Sequence, residues 1–181
     1  CDIDDYVLAN WLRGNSRLKS LVPHFSANSL EDNNRQVLAI TDALRENKGL
    51  IELNLRSGLS CVSNEIWHAI CDSLKAHPTL KVLHLRTTFA NDSVAPAVLK
   101  TRIQALVDML KVNTVIHTIH VHGQYSQHET FRRTVIPYLE RNWFWPRALA
   151  IQKTRPIPYS STVLGRTLRA VRTEPTRISM L

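Results

Sequence analysis

Glycine is scarce in this chain, with five in 181 residues. Phosphate-cradling loops need several glycines close together, so a nucleotide-binding loop is not expected. A Gly-x-Ser-x-Gly elbow, a zincin His-Glu pair and an HxE/CxxC deaminase pattern are also missing, and the expectation is a protein that is not an enzyme and holds no cofactor. Cysteine is rarer still: Cys1, Cys61 and Cys71 make an odd set without zinc-ligand spacing. That argues against a disulfide framework and a structural metal, and for a reducing interior, cytoplasmic or nuclear. Cys71, inside a helical stretch, reads as a small core residue. No apolar run approaches the roughly 18 residues of a membrane span. The chain starts at Cys1 without a charged-then-apolar leader, so it reads as lacking a signal peptide and as a fragment of something longer.

What the chain has is one short pattern of leucines, written repeatedly. Three copies are nearly intact: Leu44-x5-Leu50-x2-Leu53-x-Leu55, Leu74-x5-Leu80-x2-Leu83-x-Leu85 and Leu110-x5-Ile116-x2-Ile119-x-Val121. A weaker copy leads, Leu12-x5-Leu18-x2-Leu21-x-Pro23, and a trailing one begins at Leu139 and loses its second half. Each anchor leucine has an apolar residue four positions earlier (Leu8, Ile40, Ile70, Leu106, Val135), which is helical spacing. Three positions after each anchor come Asn15, Asn47, His77, Asn113 and Asn142. Asparagine tolerates the left-handed conformation that ends a helix, so helices are expected to stop there. The Leu-x-x-Leu-x-Leu stretch then alternates with period two, as a strand with one buried face does. Each repeat is thus helix, turn, strand, and helices are expected at about 34–46, 64–76, 96–112 and 128–141, each opened by capping residues.

Anchor spacings of 32, 30, 36 and 29 residues fall at or somewhat above the range for leucine-rich repeats with one strand and one helix. With its LIELNL, LKVLHL and IHTIHV segments, the chain resembles the ribonuclease-inhibitor-like class of leucine-rich repeat proteins over about residues 8–142. The resemblance implies an α/β solenoid, a horseshoe arc with a parallel sheet on the concave face and helices on the convex one, of about four repeats plus a C-terminal cap. It implies little about function, because the class serves many unrelated proteins as a binding scaffold. Some relatives of this fold class activate GTPases, which makes a GTPase-activator-like regulator one alternative. Where the class places Asn or Cys after the strand, this chain has Gly58, Thr88 and Gln124, which suggests looser strand-to-helix loops.

Function is expected on strand residues that point away from the core. In register, these form three lateral rows: Ser20, Glu52, Val82 and Thr118; Val22, Asn54, His84 and His120; His24, Arg56, Arg86 and His122. The third row is basic, and arginine engages carboxylates through two parallel hydrogen bonds. The leading expectation is therefore a protein partner with an acidic surface, bound by Glu52, Asn54, Arg56, Val82, His84, Arg86, Thr118, His120 and His122. The plainer alternative is a polar sheet face that serves only solubility. A metal at the histidines is not expected, since Glu52 is the only carboxylate that joins them and His117 sits at the strand entrance. Adjacent histidines repel when both are protonated, which makes pH-dependent binding a further expectation.

Charge is uneven along the chain. Residues 1–32 hold 3 Lys/Arg against 5 Asp/Glu, residues 33–142 hold 13 against 9, and residues 143–181 hold 7 against 1, for a net +8. A division follows into a solenoid over 1–142 and a degenerate repeat, or cap, with a basic helical tail over 143–181. The tail opens with Trp143-Phe144-Trp145-Pro146 where a fifth strand is due, and this aromatic cluster is expected to close the core. Further on, Ser160 to Thr162 can cap a short helix with Leu164, Leu168 and Val171 on one face and Arg166, Arg169 and Arg172 on another. Those arginines are expected to be the solvated side of a docked helix. The alternative is a nucleic-acid or phosphate-binding module.

Overall fold

The computed structural model describes residues 5–24, 30–56, 62–86, 96–122 and 129–154. Helix and strand alternate: α1 (Asp5–Gly14), β1 (Ser20–Leu21), α2 (Leu30–Glu46), β2 (Glu52–Asn54), α3 (Asn64–Leu74), β3 (Val82–Arg86), α4 (Pro96–Val112), β4 (Thr118–His122), α5 (Glu129–Thr134) and α6 (Ile136–Thr154). The strands form one parallel sheet in chain order, β1-β2-β3-β4, and consecutive helices pack on one another beside it. None of the described helices is long and apolar enough to cross a membrane. Gly58, Thr88, Gln124, Cys1, Cys61 and the tail with Arg166, Arg169 and Arg172 lie outside the described residues.

The leucine pattern is the core. Leu12, Leu44, Leu74 and Leu110 are fully buried at the helix ends, as are Leu50, Leu53, Leu55, Leu80, Leu83 and Leu85 along the strands. A helix that is apolar on one stripe and a strand that is apolar on one face can bury those surfaces only against the next repeat, so the repeats share one cluster. Cys71 lies in that cluster, and burial pushes its thiol up to about 12, as befits a small core residue. Leu83 is 1% exposed and lines the same layer as Trp67, Ile70, Leu74, Leu106 and Met109. Leu83→Ala should cost about 2–5 kcal/mol in a denaturant titration; an unchanged midpoint would contradict this packing.

The residues three beyond each anchor do more than end helices. Asn47 Nδ2 donates to Leu12 O (2.6 Å) and Asn15 O (3.0 Å) in the preceding repeat, while its Oδ1 accepts from Gly49 N and Leu50 N (both 2.9 Å) in its own turn. Asn113 repeats this two repeats further on, donating to Leu74 O (2.7 Å) and His77 O (3.2 Å) and accepting from Val115 N and Ile116 N (both 2.8 Å). Asn142 donates to Asn113 O (2.9 Å) and Ile116 O (2.7 Å), helped by Arg141 Nη2 to Leu110 O (2.6 Å). Each amide therefore satisfies backbone groups that the helix-to-strand turn would otherwise bury unpaired. The result is a ladder in which Asn47, Asn113 and Asn142 each tie their repeat to the one before.

His77 is the weak rung. Its Nδ1 accepts from Leu80 N (3.1 Å) and Thr79 N (3.5 Å), which places the proton on Nε2, and that buried N–H has no partner. Burial also holds the imidazole below its ordinary value of 6.5. The unfolded chain takes up a proton near that pH and the folded chain resists it, so stability is full above pH 6.5 and falls as the pH drops below it. His77→Asn should restore the missing donors and raise stability by about 1 kcal/mol. It should also flatten the acid side of a melting-temperature profile, and a lower melting temperature at every pH would contradict the ladder.

Two sequence expectations are corrected at the C-terminal end. The helix expected over 128–141 is split at Val135, because Pro137 has no N–H to continue the ladder of helical hydrogen bonds. Nor does the next helix stop at Asn142: α6 runs through Trp143-Phe144-Trp145-Pro146 to Thr154. Arg147 Nη1 donates to Trp143 O at 2.7 Å and its guanidinium lies 3.8 Å from the Trp143 ring centroid, bracing the turn that Pro146 weakens. At the N-terminal end β1 stops at Leu21, so Pro23 follows the strand rather than interrupting it.

Candidate functional site

The outward sheet face follows from strand register. Ser20 pairs with Glu52, Glu52 with Val82, and Val82 with Thr118, giving an unbroken row across all four strands. Asn54, His84 and His120 form a second row, and Arg86 and His122 a third. Arg56, Val22 and His24 lie just past the ends of β2 and β1, so they border the face rather than belonging to paired rows. The structure thus brings together Glu52, Asn54, Val82, His84, Arg86, Thr118 and His120, with the His122 backbone at the end of β4.

These side chains hold one another in place. Glu52 Oε1 accepts from His84 Nε2 at 3.0 Å, a diagonal contact between neighbouring strands. The His84 ring stacks on that of His120, with centroids 4.6 Å apart and planes 23° from parallel. Asn54 Oδ1 accepts from Arg56 N at 3.1 Å, which turns the chain out of β2. His120 and Arg86 are exposed, whereas Glu52, Asn54, Val82, His84 and Thr118 are half-buried. Glu52 and His84 pair at the centre of the face, and Arg86 places a positive charge at its edge. Geometry of this kind presents fixed donors and a flat aromatic surface, suited to recognition with little ordering cost.

At the strand entrance, His117 Nδ1 lies 2.9 Å from Thr118 Oγ1. Burial lowers its basicity, helped by the positive charges of Arg147 and Lys81. It therefore stays neutral where an exposed histidine would begin to charge. Among the described residues, no three His, Cys, Asp or Glu side chains gather closely enough to hold a metal ion.

Sequence reading missed two buried arginines that tie repeats together. Arg102 Nε donates to Asn64 Oδ1 (3.0 Å) and Nη2 to Val62 O (2.6 Å), with Trp67 against its guanidinium and Trp67 Nε1 bonded back to Arg102 O (3.1 Å). Arg141 plays the same part beside Tyr138 and Asn142. Arg102 stands four residues before Leu106, inside the apolar stripe of α4, and that position was the available signal.

Alternating helices and strands of one parallel sheet, tied at three positions by buried asparagines, define an α/β fold of the leucine-rich-repeat-like kind. No protein-family model matches the chain, and no curated protein matches it. Among solved structures it is similar to the actin-binding site 2 of leiomodin-1, at 23% identity over 84% of this chain and 79% of that one, with a TM-score of 0.62. It is less similar to the tropomodulin C-terminal domain of Caenorhabditis elegans, at 14% identity over 82% of this chain and 98% of that one, with a TM-score of 0.49. The leiomodin-1 match corrects the expected ribonuclease-inhibitor-like class: the shared fold is leucine-rich-repeat-like of a different kind. The ladder amides Asn47 and Asn113 stand in the helix-to-strand turns that lead into β2 and β4.

Proposed function

We propose that this chain is a non-catalytic, intracellular protein-interaction module, and that it docks its partner on the outward face of the β1–β4 sheet. The observation that carries the reading is the row Asn54–His84–His120, in which the Glu52 bond and the histidine stack hold His84 and His120, and Asn54 is held by Arg56 N. Side chains already held in one conformation lose little entropy on binding, which is what a docking face needs and a merely solvated face does not. With helices on the other side, the sheet forms the inner face of a short arc, and the exposed His120 and Arg86 favour an acidic partner surface. The fold is shared with a structure named for an actin-binding site, so actin is the first partner to test.

The test is fluorescence anisotropy of labelled actin against the native chain, the charge-reversing variants His120→Glu and Arg86→Glu, and Gln104→Glu on the exposed side of α4 as control. Native binding, weakened about tenfold or more by each face variant and unchanged by the control, is expected. Equal loss in the control, or no loss in either face variant, would place the docking surface elsewhere. Failure of the native chain to bind would remove actin.

A further inference from the structure

We infer that this chain rests on an anionic lipid surface through the edge of the sheet where its strands begin. The strands are parallel and in chain order, so the four helix-to-strand turns, residues 15–19, 47–51, 75–81 and 113–117, all open onto that edge. These turns hold Arg17, Lys19, Lys48, Lys75 and Lys81, and no Asp or Glu. Arg17, Lys19, Lys48 and Lys81 are exposed. The carboxylates in the helix ends beside them are already paired, Glu46 with Arg13, Asp72 with Lys75 and Asp108 with Lys111. Among the described residues, no ion pair engages the four exposed cations.

Cations near a helix C-terminus can serve the helix dipole, but that effect fades within the last turn. Arg17 and Lys19 stand beyond the end of α1 at Gly14, and Lys81 stands well beyond the end of α3 at Leu74. The helix-end carbonyls are in any case bonded by the ladder amides Asn47 and Asn113. At the β4 corner His117 feels the field of the edge: burial lowers its basicity most, and the charges of Arg147 and Lys81 lower it further. Register gives the edge its shape. Lys19, Ile51, Lys81 and His117 each precede by one residue the paired row Ser20–Glu52–Val82–Thr118, so at about 4.8 Å per strand the edge runs for roughly 14 Å. Lysine outnumbers arginine along it, and a hydrated point charge on a flexible stem suits a diffuse layer of negative charge better than one carboxylate held in a fork. The four turns contain no Phe, Tyr or Trp, so nucleic-acid bases would find no ring to stack on. An anionic bilayer asks only for several cations side by side, each within a Debye length of the surface. A chain resting on this edge stands its sheet upright and leaves the outward face open.

The experiment is co-sedimentation of the native chain and its variants with vesicles of phosphatidylcholine alone and of phosphatidylcholine mixed with phosphatidylserine, at low and at raised salt. The native chain should pellet with the mixed vesicles only and be released by salt. Neutralising one cation at such a surface changes partitioning about fivefold, so Lys48→Gln and Lys81→Gln should each weaken binding by about that factor and the double variant by about twenty-fivefold. Arg35→Gln removes the same charge from α2, about 18 Å along the helix from Asn47, and should leave binding unchanged within about twofold. Arg17→Gln, with the same fivefold expectation, replaces either lysine variant that loses the native far-UV spectrum. No native binding to the mixed vesicles, equal binding to both kinds, or a loss with Arg35→Gln equal to that with Lys81→Gln would each overturn the inference. Binding to poly(U) RNA that the same lysine variants abolish, with none to the mixed vesicles, would overturn it in favour of nucleic acid.

Discussion

Asn113→Ala should lower the stability of the fold by about 3–5 kcal/mol, more than most single substitutions of a polar residue. The change removes one small amide and leaves four backbone partners: the carbonyls of Leu74 and His77 and the N–H groups of Val115 and Ile116. These groups sit between α3, α4 and the start of β4, where Asn113 itself is 3% exposed, so water replaces the amide poorly. Each buried polar group left unpaired costs on the order of 1–3 kcal/mol, and partial relaxation keeps the total below the sum. Asn113→Asp separates the two halves of the role, because a carboxylate keeps the acceptor for the turn and loses the donor to the preceding repeat. Chemical denaturation should therefore rank native, then aspartate, then alanine. Equal stability of native and alanine forms would show that the ladder is incidental to the fold.

A comparable loss, about 2–4 kcal/mol, is expected from Gly49→Ala. A Cβ at Gly49 would stand inside contact distance of the Ser16 carbonyl oxygen and 2.7 Å from Ser16 Cα, so the obstacle is backbone rather than a side chain able to swing away. The turn cannot retreat easily: Gly49 N is held by Asn47 Oδ1, and Ile51 N and Glu52 N both bond Lys19 O (2.9 Å). Yielding at Gly49 would thus pull β2 away from β1 and disturb the first rung. The equivalent position of the fourth repeat holds Val115, so the close approach belongs to the first two turns and not to the repeat in general. A thermal melt within experimental error of the native chain would show that the turns are farther apart than described.

The leucine pattern was legible in the sequence because burial recurs with the period of the structure, and each inward strand position from Leu50 to Leu85 is where the spacing puts it. Register followed from the same spacing, which is why Ser20, Glu52, Val82 and Thr118 align across four strands as read. Leucines alone did not separate one kind of leucine-rich-repeat-like fold from another; Asn15, Asn47 and Asn113 read as helix ends without their partners, and Asn142, read the same way, lies inside α6. Those partners lie some thirty residues away, beyond any local rule. The buried arginines escaped for the same reason. The extension of α6 through Trp143-Phe144-Trp145-Pro146 was hidden by an aromatic run that looks strand-like and a proline that looks terminal. Propagating a helix that already exists needs only one hydrogen bond per added residue, and Arg147 braces the turn at the proline.

Placing the partner on the sheet is the centre of this account, and site-specific photo-crosslinking tests it most directly. A photoreactive residue is introduced at His120 on the outward sheet face, at Thr118 in the adjoining row, or at Gln104 on the solvent side of α4, and each chain is irradiated with actin. Cross-links from positions 120 and 118 and none from 104 are the predicted result. Cross-links from 104 with none from the sheet positions would contradict it.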